Sequence, residues 1–573
     1  MPNLPLHPSL EYLKKQAKRL TKSAHANVPD AIAQVGPYFG DPSKITLQQA
    51  QLVIARDYGF TSWTNLKRHI ESGAGDEETT EQRANRFLDL ACMHYGPDVN
   101  RGPAEFEQAA ALLSAHPQIA QHSLHSASAA GDTQAVRDAL AKNPGSVDEK
   151  GGPFQWTPLM YAAYARLPGV STFSVGQTLL EAGADPNAHY MSFGKYRFSV
   201  LTGVFGDGEG GVVRQPPHLD MVPFARALLD AGAIPNDSQG AYNRCFSPDN
   251  THLELMLEYG LKDSDQSDWW LIEPDHDPKD HRTMHFQLII ALQWGFEERA
   301  RLLIENGVDI NSPDNNYYPT YTVGYTPYQA ALMRGMPNIA ELIAAKGGNT
   351  EPLGKLEQFQ AACMRGDLDT ARELAPQYLG LDPAKDHELL CRASGNGNLE
   401  AVKTMIALGF ELTSTGQHTP LHLAAYKGHL DVIRVLIDAG VDTKLRDPNY
   451  NTPPFVHAMH NFQDKTVALL LDYPMDVFAA AAMGKMDQLR AALEGNPDLA
   501  NARFETVRTG SQDTYVNDWA TPLWFAVMNG RMETVRMLLD HGADPEVCDA
   551  DGRTITDYAR EAGQNEIVEV LKN

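Results

Sequence analysis

Apolar positions along most of this chain fall into short blocks of helical period, separated by glycines and polar turns. The clearest block begins at residue 419. Leu421, Leu423, Ala424 and Ala425 form one short apolar stretch, and Gly428 interrupts it. Val432, Ile433, Val435, Leu436 and Ile437 then give a second stretch with a single buried stripe, closed by Gly440. This predicts a helix pair: Thr419 caps the first helix, Pro420 suits its first turn, and the glycines end the helices. The same slot is refilled by Thr157-Pro158-Leu159, Thr326-Pro327-Tyr328, Thr452-Pro453, Thr521-Pro522-Leu523 and Thr554-Ile555. Thr419 to Thr452 and Thr521 to Thr554 are equal steps of about 33 residues, a spacing that marks stacked supersecondary units. Gly-Ala-Asp-Pro at 183–186 and at 542–545 repeats the exit from the second helix.

Thr419-Pro420-Leu421-His422-Leu423-Ala424-Ala425, with Gly428-His429 and Leu436-Ile437-Asp438-Ala439-Gly440, resembles an ankyrin repeat, and the resemblance extends from about residue 121 to the end. It implies an all-α fold, a solenoid of stacked helix pairs with protruding turns. Repeats are predicted from 125–140, through a half-degenerate fourth at 243–261, to a terminal cap at 554–572. In His422 the resemblance implies a structural ring bonded to neighbouring repeat backbone.

Residues 1–72 form a separate block. Leu10, Leu13, Ala17 and Leu20 suit one helix face, Leu47, Ala50, Val53 and Ile54 another, and Trp63, Leu66 and Ile70 a third. The stretch 47–70 resembles a helical module found ahead of bacterial ankyrin arrays, and it also looks like a helix-turn-helix. A linker is predicted at 73–81, a helical cap at 82–120 and the array at 121–573. Insertions fall near 188–219, 263–285, 311–325 and 501–520. The layout from Thr202 through Gly206-Asp207-Gly208-Glu209-Gly210-Gly211 to Pro216-Pro217-His218 is similar to an insert in a bacterial ankyrin subgroup.

Composition narrows the function classes. The net charge is −25, of which residues 1–72 contribute +4, leaving −29 on the rest. That opposes phosphate binding, so a nucleic-acid partner is disfavoured and a DNA-linked regulator acting through residues 45–72 ranks last. No apolar span suits a membrane helix, and the N-terminus lacks the layout of a secretory signal. Five scattered cysteines argue against a disulfide framework or a zinc knuckle. The expected compartment is the cytoplasm, and no cofactor is expected.

The insertions carry the candidate chemistry. The glycine-rich run at 206–211 lacks the Gly-Lys-Ser/Thr of a phosphate loop, and Asp207 and Glu209 would repel phosphate. His276, His281 and His285 are the metal candidates, set against an ordinary reading as turn and helix residues. Acid–base candidates are His189, Asp207, Glu209 and His218. Aromatic and basic residues at Tyr190, Tyr196, Arg197, Tyr317, Tyr318, Tyr321, Arg508, Tyr515 and Trp519 fall on repeat exits, where they would line a concave groove. The alternative is that long turns need aromatics to pack on one another. The leading expectation is a scaffold presenting that groove to a protein or peptide. The second is an enzyme or small-molecule receptor built on the irregular repeats at 188–325.

Overall fold

The computed structural model describes residues 10–25, 31–32, 35, 44–57, 63, 66–67, 79–95, 102–192, 196–266, 282–314, 324–413, 418–447, 451–461, 463–504, 519–549, 552–561 and 564–572. The chain divides into two compact units, Met1–Arg86 and Phe87–Asn573.

In the first unit the helix Leu10–His25 packs on the helix Leu47–Asp57. Leu13, Ala17, Leu20 and Ala24 recur every three to four residues and are buried against Ile45, Ala50, Val53, Ile54 and Leu66. The His25 ring bonds the Ile45 carbonyl at 2.8 Å, which ties the entry of the second helix to the end of the first. Thr46 and Gln49 exchange backbone–side-chain bonds at 2.7 and 3.2 Å, a capping box at that helix start. Trp63 packs, partly buried, against this core.

The second unit is an all-α solenoid. Among the described residues it holds thirteen helix pairs, from Leu124–Ala130 with Thr133–Lys142 to Ile555–Glu561 with Asn565–Leu571. The first helices stack on one another because their contact positions are small. Ala424 and Ala425 are fully buried, and the helix Pro420–Lys427 packs between Pro383–Gly395 and Pro454–His460. The second helices close the core from outside through residues such as Val432, Ile433 and Leu436. Thr419 accepts from the His422 amide as its cap, and Thr326 forms a capping box with Gln329. At Thr157 and Thr521 the hydroxyl makes no such bond. Gly428 ends its helix at φ +81° and turns the chain in two residues.

Three consecutive pairs lack that tight turn. Segments 165–172, 206–220 and 245–250 join their helices instead, leaving carbonyl groups that no ladder satisfies. Buried arginines satisfy them. Arg166 donates to the carbonyls of Ala163, Ala165, Gly203 and Pro216 at 2.5–2.8 Å. Arg299 donates to those of Arg244, Cys245, Ser247 and Asp249 at 2.6–3.3 Å and to Asn250 Oδ1 at 2.9 Å. Burial lowers the pKa of each to about 10, so both stay charged at neutral pH.

Two local differences from the sequence reading stand out. The segment after Ala188 includes an antiparallel hairpin, β1 (His189–Ser192) with β2 (Tyr196–Ser199), in which Tyr190 faces Phe198. The fourth repeat begins at Ser238 rather than 243. Its first helix, Ser238–Arg244, is buried at every position although it carries Ser, Gln, Asn and Arg.

Candidate binding cleft

The irregular repeats do not bring the acid–base candidates to one point. His189 is exposed and bonds the Asn187 carbonyl at 3.1 Å. His218 is buried, with Nε2 2.8 Å from Thr172 Oγ1 and Nδ1 accepting from the Asp220 amide at 3.0 Å. Asp207 sits at φ +52° in the glycine run, buried, with Oδ2 2.5 Å from the Arg244 guanidinium. Burial raises its pKa to about 6, partly offset by Arg244. Its carbonyl accepts from the Tyr95 hydroxyl at 2.6 Å, so this run is fastened into the interior. Glu209 points outward and accepts from Tyr242 at 2.6 Å. A shared reaction centre for these four is therefore not formed.

The hairpin aromatics are also turned inward. Tyr190 stacks on Trp156 at 4.9 Å, Phe198 at 5.2 Å and His94 at 5.7 Å, while its hydroxyl accepts from the Tyr95 amide at 3.2 Å. It packs the hairpin rather than lining a groove. Tyr196 and Arg197 are half-buried, and Arg197 reaches the Asn187 carbonyl at 3.4 Å. Tyr317, Tyr318, Tyr321, Arg508 and Tyr515 lie outside the described residues, as do His276 and His281. His285 is buried and bonds the Ser312 carbonyl at 3.1 Å.

A cleft of about 190 Å³ opens elsewhere, on the first helices of three successive pairs. Lys385, Glu388 and Arg392 share one face of Pro383–Gly395, and Glu357 and Gln360 face them from Lys355–Arg365. Tyr325 stands at the side, donating to Glu357 Oε1 at 3.0 Å, and Met333, Leu356 and Leu389 form an apolar floor. Burial raises the pKa of Glu388, while Arg392, Arg334 and Lys385 act in the opposite direction. Farther along the same helix Asn396 donates to the Gln293 carbonyl at 3.4 Å, and Lys427 lies 4.9 Å over the Trp294 ring. These contacts tie the first helices of separate repeats together beside the cleft. Near the C-terminus the half-buried rings of Phe478 and Phe525, on first helices, cluster at 5.3–5.7 Å with that of Phe504, on a non-helical segment, and the Arg446 guanidinium lies over Phe478 and Phe504.

Comparison with known families reaches the C-terminal part of the chain. Residues 359–447, 390–481 and 488–573 each match the family described as ankyrin repeats in three copies. The C-terminal region carries ankyrin repeats. Among curated proteins, the ARF GTPase-activating protein GIT1 of Homo sapiens is 34% identical over 88 residues, 13% of this chain and 12% of that protein. The Mus musculus and Rattus norvegicus proteins match at the same identity and length. The chain spans 11–12% of the length of these relatives.

Within the ankyrin repeats the signature histidine is committed to structure. His422 Nε2 donates to the Thr452 carbonyl at 2.9 Å and Nδ1 lies 2.7 Å from the Thr419 hydroxyl. Asp447 and His457 lie close enough to form a three-ligand cluster with it. Both nitrogens of His422 are already engaged, and Asp447 holds Thr452 by its amide and hydroxyl at 3.1 and 2.9 Å, so the arrangement is a hydrogen-bond network. Trp519, expected on a groove-lining exit, is instead 7% exposed and stacks on Tyr558 at 5.3 Å within the last core cluster. Trp519→Ala is accordingly expected to destabilise the array by ~3–5 kcal/mol in chemical denaturation, so lost capture in that variant would report folding.

The cleft residues escaped sequence reasoning because no motif marks them. Their one signal is placement: Glu357 and Glu388 fill corresponding positions of successive first helices.

Proposed function

We propose that the protein is an ankyrin-repeat scaffold that captures a segment of a partner protein on the first-helix face between Tyr325 and Arg392. The observation that carries this reading is the cleft itself, where charged and polar side chains flank an apolar floor. A stack needs small residues at these helix contacts, and it does not need Glu357, Gln360, Glu388 and Arg392 gathered around open space. At about 190 Å³ the cleft is smaller than the roughly 300–1,000 Å³ typical of sites enclosing a whole small molecule, which favours an anchoring side chain of a larger partner. The ring of Tyr325 adds rigid contact area of the kind that dominates binding hot spots.

A photo-crosslinking amino acid at Gln360, compared with one at the exposed outer position Glu400, tests this in cells. Discrete adducts from position 360, absent from position 400 and reduced at least fivefold by Tyr325→Ala, are the expected result. Identical adduct patterns from both positions would remove the assignment.

A further inference from the structure

In a stacked array each helix pair touches its neighbours, yet three contacts in the second unit join pairs far apart in the chain. Asn396 Nδ2 donates to the Gln293 carbonyl at 3.4 Å, 103 residues away. The Lys427 ammonium lies 4.9 Å over the Trp294 ring. A methyl group on Gly211 would sit 3.8 Å from Asn461 Oδ1. The order is regular. As one side steps back along the chain from Trp294 to Gly211, the other steps forward from Asn396 through Lys427 to Asn461. Gln293 and Trp294 end one first helix, while Asn396, Lys427 and Asn461 stand at the ends of three others. Gly211 lies in the long join 206–220, which reaches farther than a two-residue turn. Two arms of the array, 200–305 and 383–470, therefore meet at their first helices. The closure is thin, because the core at Tyr242, Cys245, Phe286 and Ile290 shares no residue with the core from Phe359 to Ala479. Lys427 makes no hydrogen bond or ion pair with another described residue, so the rings of Trp294 and Tyr426 hold its charge. Burial lowers its pKa, which marks the ammonium as enclosed between the arms. Contacts this sparse close an interface without fusing it.

The closure adjoins the cleft through Gln293. Glu388, Arg392 and Asn396 stand four residues apart along one helix face; the first two line the cleft, and the third is covered by Gln293. Gln293 also accepts from Arg334, whose chain neighbour Met333 forms part of the cleft floor. A segment running past Arg392 along that face meets Gln293 and Trp294. We propose that Trp294 and Lys427 close a clasp between the two arms, and that this clasp opens before a partner segment can run beyond Arg392. The proposal rests on the scaffold reading and adds its regulation. The array competes with its own partner for the C-terminal ends of Pro383–Gly395 and Pro420–Lys427, so capture depends on the fraction of open molecules.

Two readouts separate the clasp from the capture it controls. In the purified full chain, with the exposed thiol removed by Cys548→Ser, spin labels at Glu298→Cys and Arg434→Cys report the separation of the arms by dipolar spectroscopy. Trp294→Ala and Lys427→Gln should each move the distance distribution to longer separations. Trp294→Phe and Lys427→Arg, which keep the ring and the charge, should match the parent. In cells, crosslinks from position 360 should rise roughly fivefold in Trp294→Ala and Lys427→Gln, because a closed state that competes with binding is depleted. Far-ultraviolet dichroism checks the fold of each variant. Trp294 also packs on the Tyr242 core, whereas Lys427→Gln removes only a charge and reads the clasp by itself. Unchanged separations in Lys427→Gln overturn the clasp. Longer separations with unchanged or weaker capture overturn its control of the cleft. Longer separations with no discrete adduct from position 360 in any variant reject capture at the cleft, and that control with it.

Discussion

Replacing Arg299 by methionine is expected to lower the unfolding free energy of the array by about 3–5 kcal/mol, with the irregular repeats loosening first. The side chain is fully buried, and its guanidinium serves four backbone carbonyls and Asn250. Methionine fills similar space but donates nothing, so several buried acceptors lose their only described partner. Each orphaned group costs roughly 1–3 kcal/mol, and partial relaxation toward water keeps the total below the simple sum. Urea denaturation followed by far-ultraviolet dichroism measures the loss, with the exposed Glu298→Gln as control, expected to change stability by less than ~0.5 kcal/mol. Hydrogen exchange locates it, because repeat arrays open locally. Protection should fall in Ser238–Arg244 and Thr251–Glu258 before it falls in Pro420–Lys427. A loss below 1 kcal/mol would mean that water reaches those carbonyls and that Arg299 is not their necessary partner.

Where local sequence signals and packing agree, the fold was readable from the chain. Thr419, Gly428 and the stripe from Val432 to Ile437 encode cap, turn and core contact within one repeat, and each behaves so in the structure. The fourth repeat shows how that agreement fails. Ser238–Arg244 carries no apolar stripe, so periodicity cannot find it, and its burial depends on partners 37 to 55 residues away, such as Asp207 and Arg299. The hairpin was more accessible, since Gly194 separates two short aromatic runs in the manner of strands around a turn. For the site, aromatic residues on long exits suggested a groove. Tyr190 and Trp519 instead serve to fill space beneath those exits, the alternative weighed against it. The cleft was not readable because its polar groups become neighbours only through stacking of successive repeats.

Acid should destabilise the array through its buried histidines, by about 3 kcal/mol for each of His218 and His422 between pH 6.5 and pH 4. Burial lowers both pKa values to about 4 from the ordinary 6.5, with Arg166 adding to the effect at His218 and His457 at His422. The geometry explains the preference for the neutral ring. Thr172 donates to the Ala162 carbonyl, so His218 Nε2 donates to Thr172, and Nδ1 accepts from the Asp220 amide. A proton on Nδ1 would face another donor. Because the folded pKa lies below the unfolded one, the unfolded chain takes up the proton first as pH falls. The stabilising contribution is complete above pH 6.5 and is lost as pH drops toward 4. Asp207 works in the opposite sense. Its pKa is raised from 3.8 to about 6, so the stability linked to its protonation is present at low pH and lost as pH rises through that window. Two histidines outweigh this one carboxyl, and the net slope between pH 4 and 6.5 should be positive. His218→Asn keeps an acceptor for the Asp220 amide while removing the titration, so its stability curve should be flatter by about 3 kcal/mol across that range. Parallel curves for the two proteins would show that His218 titrates alike in the folded and unfolded chain and does not contribute to the acid sensitivity.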